Sequence, residues 1–287
     1  VDAADLLRPV YDRTDRVDGY VSLEVNPKLA GDTSGTIAEA KRLHAALNRP
    51  NVLIKVPATE EGIPAIEALI AEGISINITL IFSLKMYEKV MRAYLDGLTR
   101  LAENGEDLSK VASVASFFVS RVDSLIDSRL ENRPTSGETD HLLGRAAIAN
   151  AKLAYARFEE VFAESGAFGK LAENGARVQR PLWASTSTKN PAYPPTMYVD
   201  GLMAPRTVNT LSPGTIDSMT GNTLPACTIR DDLAGCRALF DELKSQGIDI
   251  DEVTSTLLKD GVALFARSFD ELLANLEQKR KQVRAAG

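Results

Sequence analysis

Short apolar runs alternate with stretches of helical periodicity along the chain. The short runs are rich in β-branched residues, which predicts strands buried in a parallel sheet at about 20–25, 51–57, 75–82, 111–119, 180–186 and 207–211. Apolar positions three and four apart predict helices at about 2–14, 35–48, 62–72, 83–103, 121–131, 143–164, 196–203, 231–246 and 262–285. We expect Thr33 or Ser34 to cap the second helix, Ser83 to cap the fourth, and 133–139 and 212–230 to be loops.

Strands and helices alternate from one end of the sequence to the other. This order predicts an α/β fold with a parallel sheet and right-handed crossovers. A chain of 287 residues is long enough for two domains, but α/β barrels of this length are single domains. We therefore expect one barrel domain over residues 1–287.

Lys55 interrupts the most apolar of the predicted strands, in the segment Asn51–Thr59 with the sequence NVLIKVPAT. Lysine is almost never fully buried without a partner or a chemical role. A desolvated lysine is a nucleophilic amine that can form a Schiff base with a carbonyl compound. The alternative is a lysine at the strand's edge whose stem is buried and whose amine reaches water.

Polar side chains gather at the carboxyl ends of the other predicted strands. They are Glu24, Asn77 and Thr79, Ser116 and Arg121, and Ser185 and Lys189. In a (β/α)8 barrel, the catalytic groups come from the carboxyl ends of several strands. Because a structural lysine needs no such companions, this distribution favours a chemical role for Lys55.

Composition and charge exclude several functions. A net charge of −6 and a pI near 5.2 do not indicate a protein that binds nucleic acid. Cys227 and Cys236 lie far from His44 and His141, so no metal-ligand spacing exists and reduced thiols are expected. No apolar run approaches the roughly 18–20 residues of a membrane span, and no signal-peptide pattern is present, so we expect a cytoplasmic location. The motifs GxGxxG, GxxxxGK[ST] and GxSxG are absent.

Five ordered motifs carry a resemblance to a known family. They are SLEVNP at Ser22–Pro27, NVLIKVPAT at Asn51–Thr59, INITLIFS at Ile76–Ser83, ASFFVSR at Ala115–Arg121 and RPLWASTSTKNP at Arg180–Pro191. With these motifs the chain resembles the transaldolases, specifically the longer bacterial type. The resemblance runs from about residue 3 to the C-terminal helix.

The resemblance implies a role for each residue at the strand ends. Lys55 matches the Schiff-base lysine, and Glu24 and Thr79 match the pair that binds a catalytic water. Asn77 matches the asparagine that binds substrate hydroxyls. Ser116, Phe118 and Arg121 match the strand end that contains phenylalanine, where Arg121 helps to bind the phosphate. Ser185 matches the serine of the phosphate site, and Lys189 is the candidate to replace the family's arginine there.

Simpler structural roles are open for several of these residues. Phe118 is equally suited to the core, Ser116 to close packing, Thr79 to a β-strand, and Arg121 to a surface ion pair.

The resemblance also implies features that the sequence lacks. The family's first strand carries an aspartate that acts as general acid/base, and its second strand carries a Thr/Ser-Asn-Pro motif. Neither precedes the strand of Glu24, and the chain has six predicted strands where the barrel needs eight. We therefore expect a (β/α)8 TIM barrel whose first two βα units are absent from this chain, and a native polypeptide that is longer at its N-terminus.

The implied activity is transfer of a dihydroxyacetone unit from sedoheptulose 7-phosphate to glyceraldehyde 3-phosphate. Sugar phosphates would be the substrates, with no cofactor, no metal, no nucleic acid and no membrane partner. Three alternatives stay open: a Schiff-base aldolase that releases free dihydroxyacetone, the transaldolase part of a fused sugar-phosphate enzyme, and a non-catalytic barrel that binds sugar phosphates. Both a monomer and a homodimer are open, although Phe265 and Phe269 are expected to pack on their own barrel.

Overall fold

The computed structural model describes residues 1–133, 137–220 and 226–286. Within them, six strands form one sheet in the order β1-β2-β3-β4-β5-β6, and each neighbouring pair is parallel. The strands are Val21–Glu24 (β1), Val52–Pro57 (β2), Ile76–Ile81 (β3), Ser113–Phe118 (β4), Arg180–Ala184 (β5) and Val208–Asn209 (β6). All six predicted strands are confirmed, each shorter than its apolar run.

The sheet is curled like part of a barrel, and helices cover its outer face. The α-helices are Asp2–Arg13 (α1), Thr33–Leu47 (α2), Gly62–Ala71 (α3), Leu84–Glu103 (α4), Ser120–Glu131 (α5), Ala146–Val161 (α6), Ala167–Glu173 (α7), Met197–Leu202 (α8), Pro213–Met219 (α9), Leu233–Ser245 (α10) and Ile250–Ala286 (α11). The described residues thus show an α/β fold with a half-barrel of six strands. The expectation of two further βα units is not confirmed and stays a prediction.

The helix caps correct one local prediction and confirm another. Asp32, rather than Thr33 or Ser34, caps α2, because its carboxylate accepts the amide hydrogen of Gly35 at 2.9 Å. Ser83 caps α4 by accepting from the amide of Met86, as predicted.

Two helical segments fall outside the predicted boundaries. The interval 212–230 was expected to be a loop, but α9 begins at Pro213 behind the cap Ser212; residues 221–225 of that interval lie outside the described residues, as do 134–136 of the loop predicted at 133–139. The predicted helix 143–164 ends at Val161, and α7 follows it. Proline at the first helical position suits a helix start, so Pro213 was a signal for α9.

The last helix begins twelve residues earlier than predicted, at Ile250 rather than 262. The carboxylates of Asp251 and Glu252 occupy its first turn, where they interact favourably with the helix dipole. Gly261 lets this helix approach β3, since a Cβ there would lie 3.0 Å from the Leu80 side chain. The helix therefore crosses the carboxyl ends of the strands, and Lys28 just beyond β1 pairs with Asp270 at 2.6 Å.

The core lies between the sheet and its helices, and the buried rings of Trp183, Tyr87 and Phe117 are central to it. Phe265 packs against this core, which confirms the expectation for this residue, whereas the same expectation for Phe269 stays a prediction. No described helix is both long enough and apolar enough to cross a membrane. Cys227 is exposed, Cys236 is buried, and both are free thiols.

Candidate active site

Three polar residues form a row across the first three strands. Glu24 on β1 is the register partner of Lys55 on β2, and Lys55 is the register partner of Asn77 on β3. Because side chains alternate between the two faces of a strand, residues at one register level project from the same face. The sheet therefore brings together three of the side chains predicted from the sequence.

Lys55 lies in a strand whose other residues are all buried. Its Nζ atom is 3.4 Å from Oε2 of Glu24, and both side chains are 23% exposed. The amine is thus shielded on most sides but still reachable at the end of the strand. This environment suits a nucleophile that a carbonyl compound must reach.

Burial raises the pKa of the Glu24 carboxyl above its ordinary value, and the charge of Lys55 offsets only part of this effect. A carboxyl with a raised pKa exchanges protons more readily near neutral pH than an exposed one. A carboxyl of raised pKa thus lies 3.4 Å from the Lys55 amine.

A hydrogen-bonded chain of side chains fixes Asn77. The Ser116 hydroxyl on β4 donates to Oδ1 of Asn77 at 2.7 Å, and Nδ2 of Asn77 donates to the Ser22 hydroxyl at 3.0 Å. The Ser116 hydroxyl is buried and serves as more than a small packing group. Both the oxygen and the nitrogen of the Asn77 amide are hydrogen-bonded. The orientation of this amide at the barrel mouth, the end of the sheet where the strands have their carboxyl ends, is therefore fixed before a ligand binds.

Thr79 lies two residues after Asn77 and is fully buried. Its hydroxyl has no hydrogen-bond partner within the described residues. Buried hydroxyls are nearly always paired with protein or with ordered water. The next residue, Leu80, has a φ of 62°, and the register of β3 on β4 shifts at this point. A non-glycine residue in this conformation is uncommon and often marks a functional strand end.

Arg121 lies in the first turn of α5, directly after β4. Its guanidinium stacks over the Phe118 ring at 5.4 Å from the centroid. It is half-buried, and burial lowers the pKa of the Arg121 guanidinium from its ordinary value. No carboxylate of the described residues forms an ion pair with it. Within the described part of the chain, Arg121 therefore lacks the surface ion pair considered for it, and its guanidinium is able to bind an anion.

Ser185 follows β5 and lies beside the start of α5. Its hydroxyl is 2.9 Å from the Ser120 hydroxyl, and its carbonyl accepts the Ser120 amide hydrogen at 3.0 Å. Ser185 has a φ of 57°, again a left-handed conformation at the carboxyl end of a strand. Ser185 thus contacts the residue that precedes Arg121, whereas the Arg121 side chain lines a cleft between α5 and α11 together with Asp260 and Arg267.

The structure does not place Lys189 with Arg121. Lys189 is exposed and lines a cleft on another side of α5. Three carboxylates line that cleft, those of Asp123, Asp127 and Glu131. The Tyr193 hydroxyl donates to Asp127 at 2.7 Å, and the Tyr198 hydroxyl donates to Asp123 at 3.0 Å. The assignment of Lys189 to the phosphate thus stays a prediction and has less structural support than that of Arg121.

Three neighbours of the site were not predicted from the sequence. Ser22 and Ser120 bind predicted site residues, and both lie inside quoted motifs, so the motifs were an available signal. Phe265 lies over Lys55, with 5.1 Å between its ring centroid and Nζ. The amphipathic pattern of the last helix predicted only that Phe265 packs on the barrel. It did not predict which strand end the ring contacts.

Comparison with known proteins adds a family to this geometry. A family model described as Transaldolase/Fructose-6-phosphate aldolase matches residues 1–276. The chain is 52% identical to a transaldolase of Acidothermus cellulolyticus over 285 residues, which are 98% of this chain and 76% of that protein. It is 51% identical to a transaldolase of Thermobifida fusca, over 96% of this chain and 75% of the relative. A transaldolase of Mycolicibacterium smegmatis is 52% identical over 94% of this chain and 73% of its own length.

The chain therefore spans about three quarters of the length of these relatives. The matches cover nearly all of this chain, but they give no support to the narrower expectation that a portion is missing at the N-terminus.

Proposed function

The chain belongs to the transaldolase/fructose-6-phosphate aldolase family and is a transferase of the transaldolase type, and we propose that Lys55 carries the transferred unit as a Schiff base. The observation that supports this assignment is the row of Glu24, Lys55 and Asn77 at one register level. The same half-barrel is compatible with a complete (β/α)8 barrel, and we propose that residues 1–287 belong to one such domain.

The proposed reaction begins at the neutral amine of Lys55. The amine attacks the ketone of a ketose phosphate, and loss of water gives an iminium ion. This cation accepts the electron pair of the neighbouring C–C bond while a base takes the proton of the C4 hydroxyl, so an aldose leaves and a three-carbon enamine stays on the lysine. The resemblance assigns this base to the aspartate of the family's first strand. The enamine attacks a second aldose, and water releases the product. The donor and acceptor would be sedoheptulose 7-phosphate and glyceraldehyde 3-phosphate, and the products erythrose 4-phosphate and fructose 6-phosphate.

Imine formation and hydrolysis both need a water molecule and a proton carrier. The Glu24 carboxyl lies 3.4 Å from the amine, and the buried Thr79 hydroxyl has an unused hydrogen-bonding capacity within the described residues. We assign these two groups to the water, with Glu24 as the acid/base. Asn77, held by Ser22 and Ser116, would bind the substrate hydroxyls.

We propose that Arg121 and Ser185 hold the phosphate of the substrate at the corner of the barrel between the carboxyl ends of β4 and β5. A guanidinium with no ion-pair partner among residues 1–133, 137–220 and 226–286, together with a serine hydroxyl, offers suitable donors for a phosphate dianion. Fixing the phosphate sets the distance between the reacting carbon and Lys55. Lys189 would add a cation only if the segment after β5 turns toward this corner.

The competing activity is an aldolase that releases free dihydroxyacetone. The family name covers both activities, while the three relatives described above are transaldolases. The two differ in the fate of the enamine: a transaldolase retains it until an aldose arrives. Assaying fructose 6-phosphate with and without an aldose acceptor separates them, because a transaldolase turns over only with the acceptor.

Borohydride trapping tests Lys55 itself. The protein is incubated with fructose 6-phosphate and borohydride, digested, and analysed by mass spectrometry. We expect a reduced adduct on Lys55 alone: a three-carbon adduct reports imine formation and cleavage, and a six-carbon adduct reports imine formation without cleavage. Lys55→Met should abolish the adduct. Lys41→Met, which removes an exposed lysine paired with Glu72, should leave it unchanged. An intact adduct in Lys55→Met would refute the assignment.

A further inference from the structure

The aromatic ring of Phe265 covers the reactive nitrogen of Lys55. Its centroid is 5.1 Å from Nζ, and the nitrogen lies over the face of the ring. Cations within about 6 Å of an aromatic centroid are attracted by the negative face of the π-system. Two groups therefore lie beside the Lys55 nitrogen: the Glu24 carboxylate, 3.4 Å away, and the ring of Phe265.

Several contacts hold the ring in this place. Upstream of Phe265, Lys85 pairs with Asp251, and Arg129 pairs with Glu252. Downstream, Lys28 pairs with Asp270. These basic residues come from segments after three different strands, so α11 is tied across the mouth on both sides of Phe265. Phe265 itself packs against the core.

We propose that Phe265 stabilises the positive charge of the iminium ion on Lys55 and thereby sets the ratio of iminium to enamine in the bound three-carbon unit. This inference rests on the proposed Schiff base and adds a residue to the reaction. Phe265 lies far along the chain from every quoted motif.

The chemistry explains why a neutral ring matters here. In the iminium ion, the nitrogen carries a positive charge. When the C–C bond breaks, its electron pair moves into the C=N system and the nitrogen becomes neutral in the enamine. When the enamine attacks an aldehyde, the electron pair leaves again and the charge returns. Without an aldehyde, the same carbon takes a proton from water instead, so the three-carbon iminium ion and the enamine differ by this one proton. The ring attracts the charged form and has no comparable attraction for the neutral one, so it acts on the equilibrium between them.

Fluorination of the ring tests this directly. Each fluorine withdraws electron density from the ring face and weakens cation binding while it changes the shape of the side chain little. Proteins with phenylalanine, 4-fluoro-, 3,5-difluoro- or 3,4,5-trifluorophenylalanine at position 265 are loaded with fructose 6-phosphate in the absence of an acceptor. One aliquot is treated with cyanoborohydride, which reduces the iminium ion. A second aliquot is treated with hexacyanoferrate(III), of which two equivalents oxidise one enamine.

We expect the ratio of iminium to enamine to fall stepwise with each fluorine. The total fall should be roughly fivefold, which corresponds to about 1 kcal/mol at 1.4 kcal/mol per tenfold change. Phe265→Leu should give a ratio at or below that of the trifluorinated protein. Because both forms are measured in the same loaded protein, partial unfolding or weaker substrate binding does not change the ratio.

The matched control is the same fluorinated series at Phe269, one turn further along α11, which should leave the ratio unchanged. A ratio that does not change across the series at position 265, in proteins that still form the adduct, would refute the role of Phe265 and leave the Schiff base intact. Absence of any adduct in the unmodified protein would instead refute the proposed function.

Discussion

The carboxylate of Glu24 lies 3.4 Å from the Nζ of Lys55 because the parallel register of β1 on β2 places the two residues directly opposite each other. The pairing is thus built into the sheet and needs no loop to form it. Strand ends move less than loops, so the carboxylate stays near the amine through imine formation, cleavage and hydrolysis.

Glu24→Gln should change activity and stability in opposite directions at neutral pH. Burial raises the pKa of Glu24 above 4.5 in the folded protein, so the unfolded chain releases this proton at lower pH than the folded one. Between the two pKa values the folded wild type loses stability as pH rises. Glutamine at this position does not titrate, so the variant does not lose stability in this way. The free energy of unfolding of the variant minus that of the wild type should therefore increase as pH rises across that interval.

Activity should respond in the other direction. If the ionised Glu24 activates the water, wild-type activity falls as pH drops through the raised pKa, and Glu24→Gln loses this acidic limb together with about a hundredfold in kcat. Urea unfolding and kcat are measured from pH 4 to 8. A variant whose relative stability declines with rising pH would contradict the assigned direction of the pKa shift.

Ser116→Ala should loosen Asn77 without removing it. The substitution leaves the Asn77 amide oxygen without the 2.7 Å hydrogen bond from Ser116, which costs about 1–3 kcal/mol of unfolding free energy. The freed amide should also lower kcat/KM about tenfold, since it no longer presents one orientation to the substrate. Ser113→Ala is the control: its hydroxyl, also on β4, bonds the Ile76 carbonyl at the opposite end of the strand. It should lose stability but not kcat/KM.

Thr79→Val should lower activity without lowering stability. The Thr79 hydroxyl is buried and has no protein partner within the described residues, so valine breaks no hydrogen bond to the protein and nearly keeps the shape of the side chain. We expect the free energy of unfolding to stay equal or rise, and kcat to fall about a hundredfold through loss of the bound water. Thr36→Val provides the contrast, because the Thr36 hydroxyl donates to Leu29 at 2.9 Å. It should destabilise the protein and leave kcat unchanged. Full activity in Thr79→Val would remove Thr79 from the mechanism.

Arg121→Gln should reduce discrimination in favour of phosphorylated donors. The guanidinium has no carboxylate partner among the described residues and lies over Phe118, so its loss should cost about 2–3 kcal/mol of phosphate binding, or roughly a hundredfold in kcat/KM. The ratio of kcat/KM for fructose 6-phosphate to that for fructose is the measurement, because misfolding affects both substrates. Arg42→Gln, which breaks only an exposed pair with Glu39, should preserve the ratio. An unchanged ratio in Arg121→Gln would place the phosphate elsewhere.

The row of Glu24, Lys55 and Asn77 was predictable because strand periodicity and parallel packing are properties of the sequence pattern. The left-handed conformations of Leu80 and Ser185 were not, since neither residue is a type that favours positive φ. The contact of Phe265 with Lys55 was also beyond the sequence, because the direction in which a long helix crosses a barrel depends on packing rather than on local pattern. The start of α11 was misplaced because its first turns carry acidic residues that match a loop as well as a helix.

The packing of α3 on α4 provides a test of the fold that is independent of the active site. Gly97 on α4 allows this contact, since a Cβ at position 97 would lie 2.7 Å from Cβ of Ile70 and 2.8 Å from the Glu67 carbonyl oxygen. Backbone and Cβ atoms cannot rotate away as the end of a flexible side chain can. Gly97→Ala should therefore force the helices apart and destabilise the protein by about 1–3 kcal/mol, despite the better helix propensity of alanine.

Gly31→Ala is the matched control for this substitution, because a Cβ at position 31 meets no atom within 4 Å. It should change the free energy of unfolding by less than about 0.5 kcal/mol. Urea denaturation of the two variants and the wild type gives the comparison. Equal stability of Gly97→Ala and the wild type would mean that α3 and α4 are further apart than the structure shows. Since β3 lies between these helices in the chain and carries Asn77 and Thr79, a displaced α4 should also lower the yield of the Lys55 adduct in Gly97→Ala.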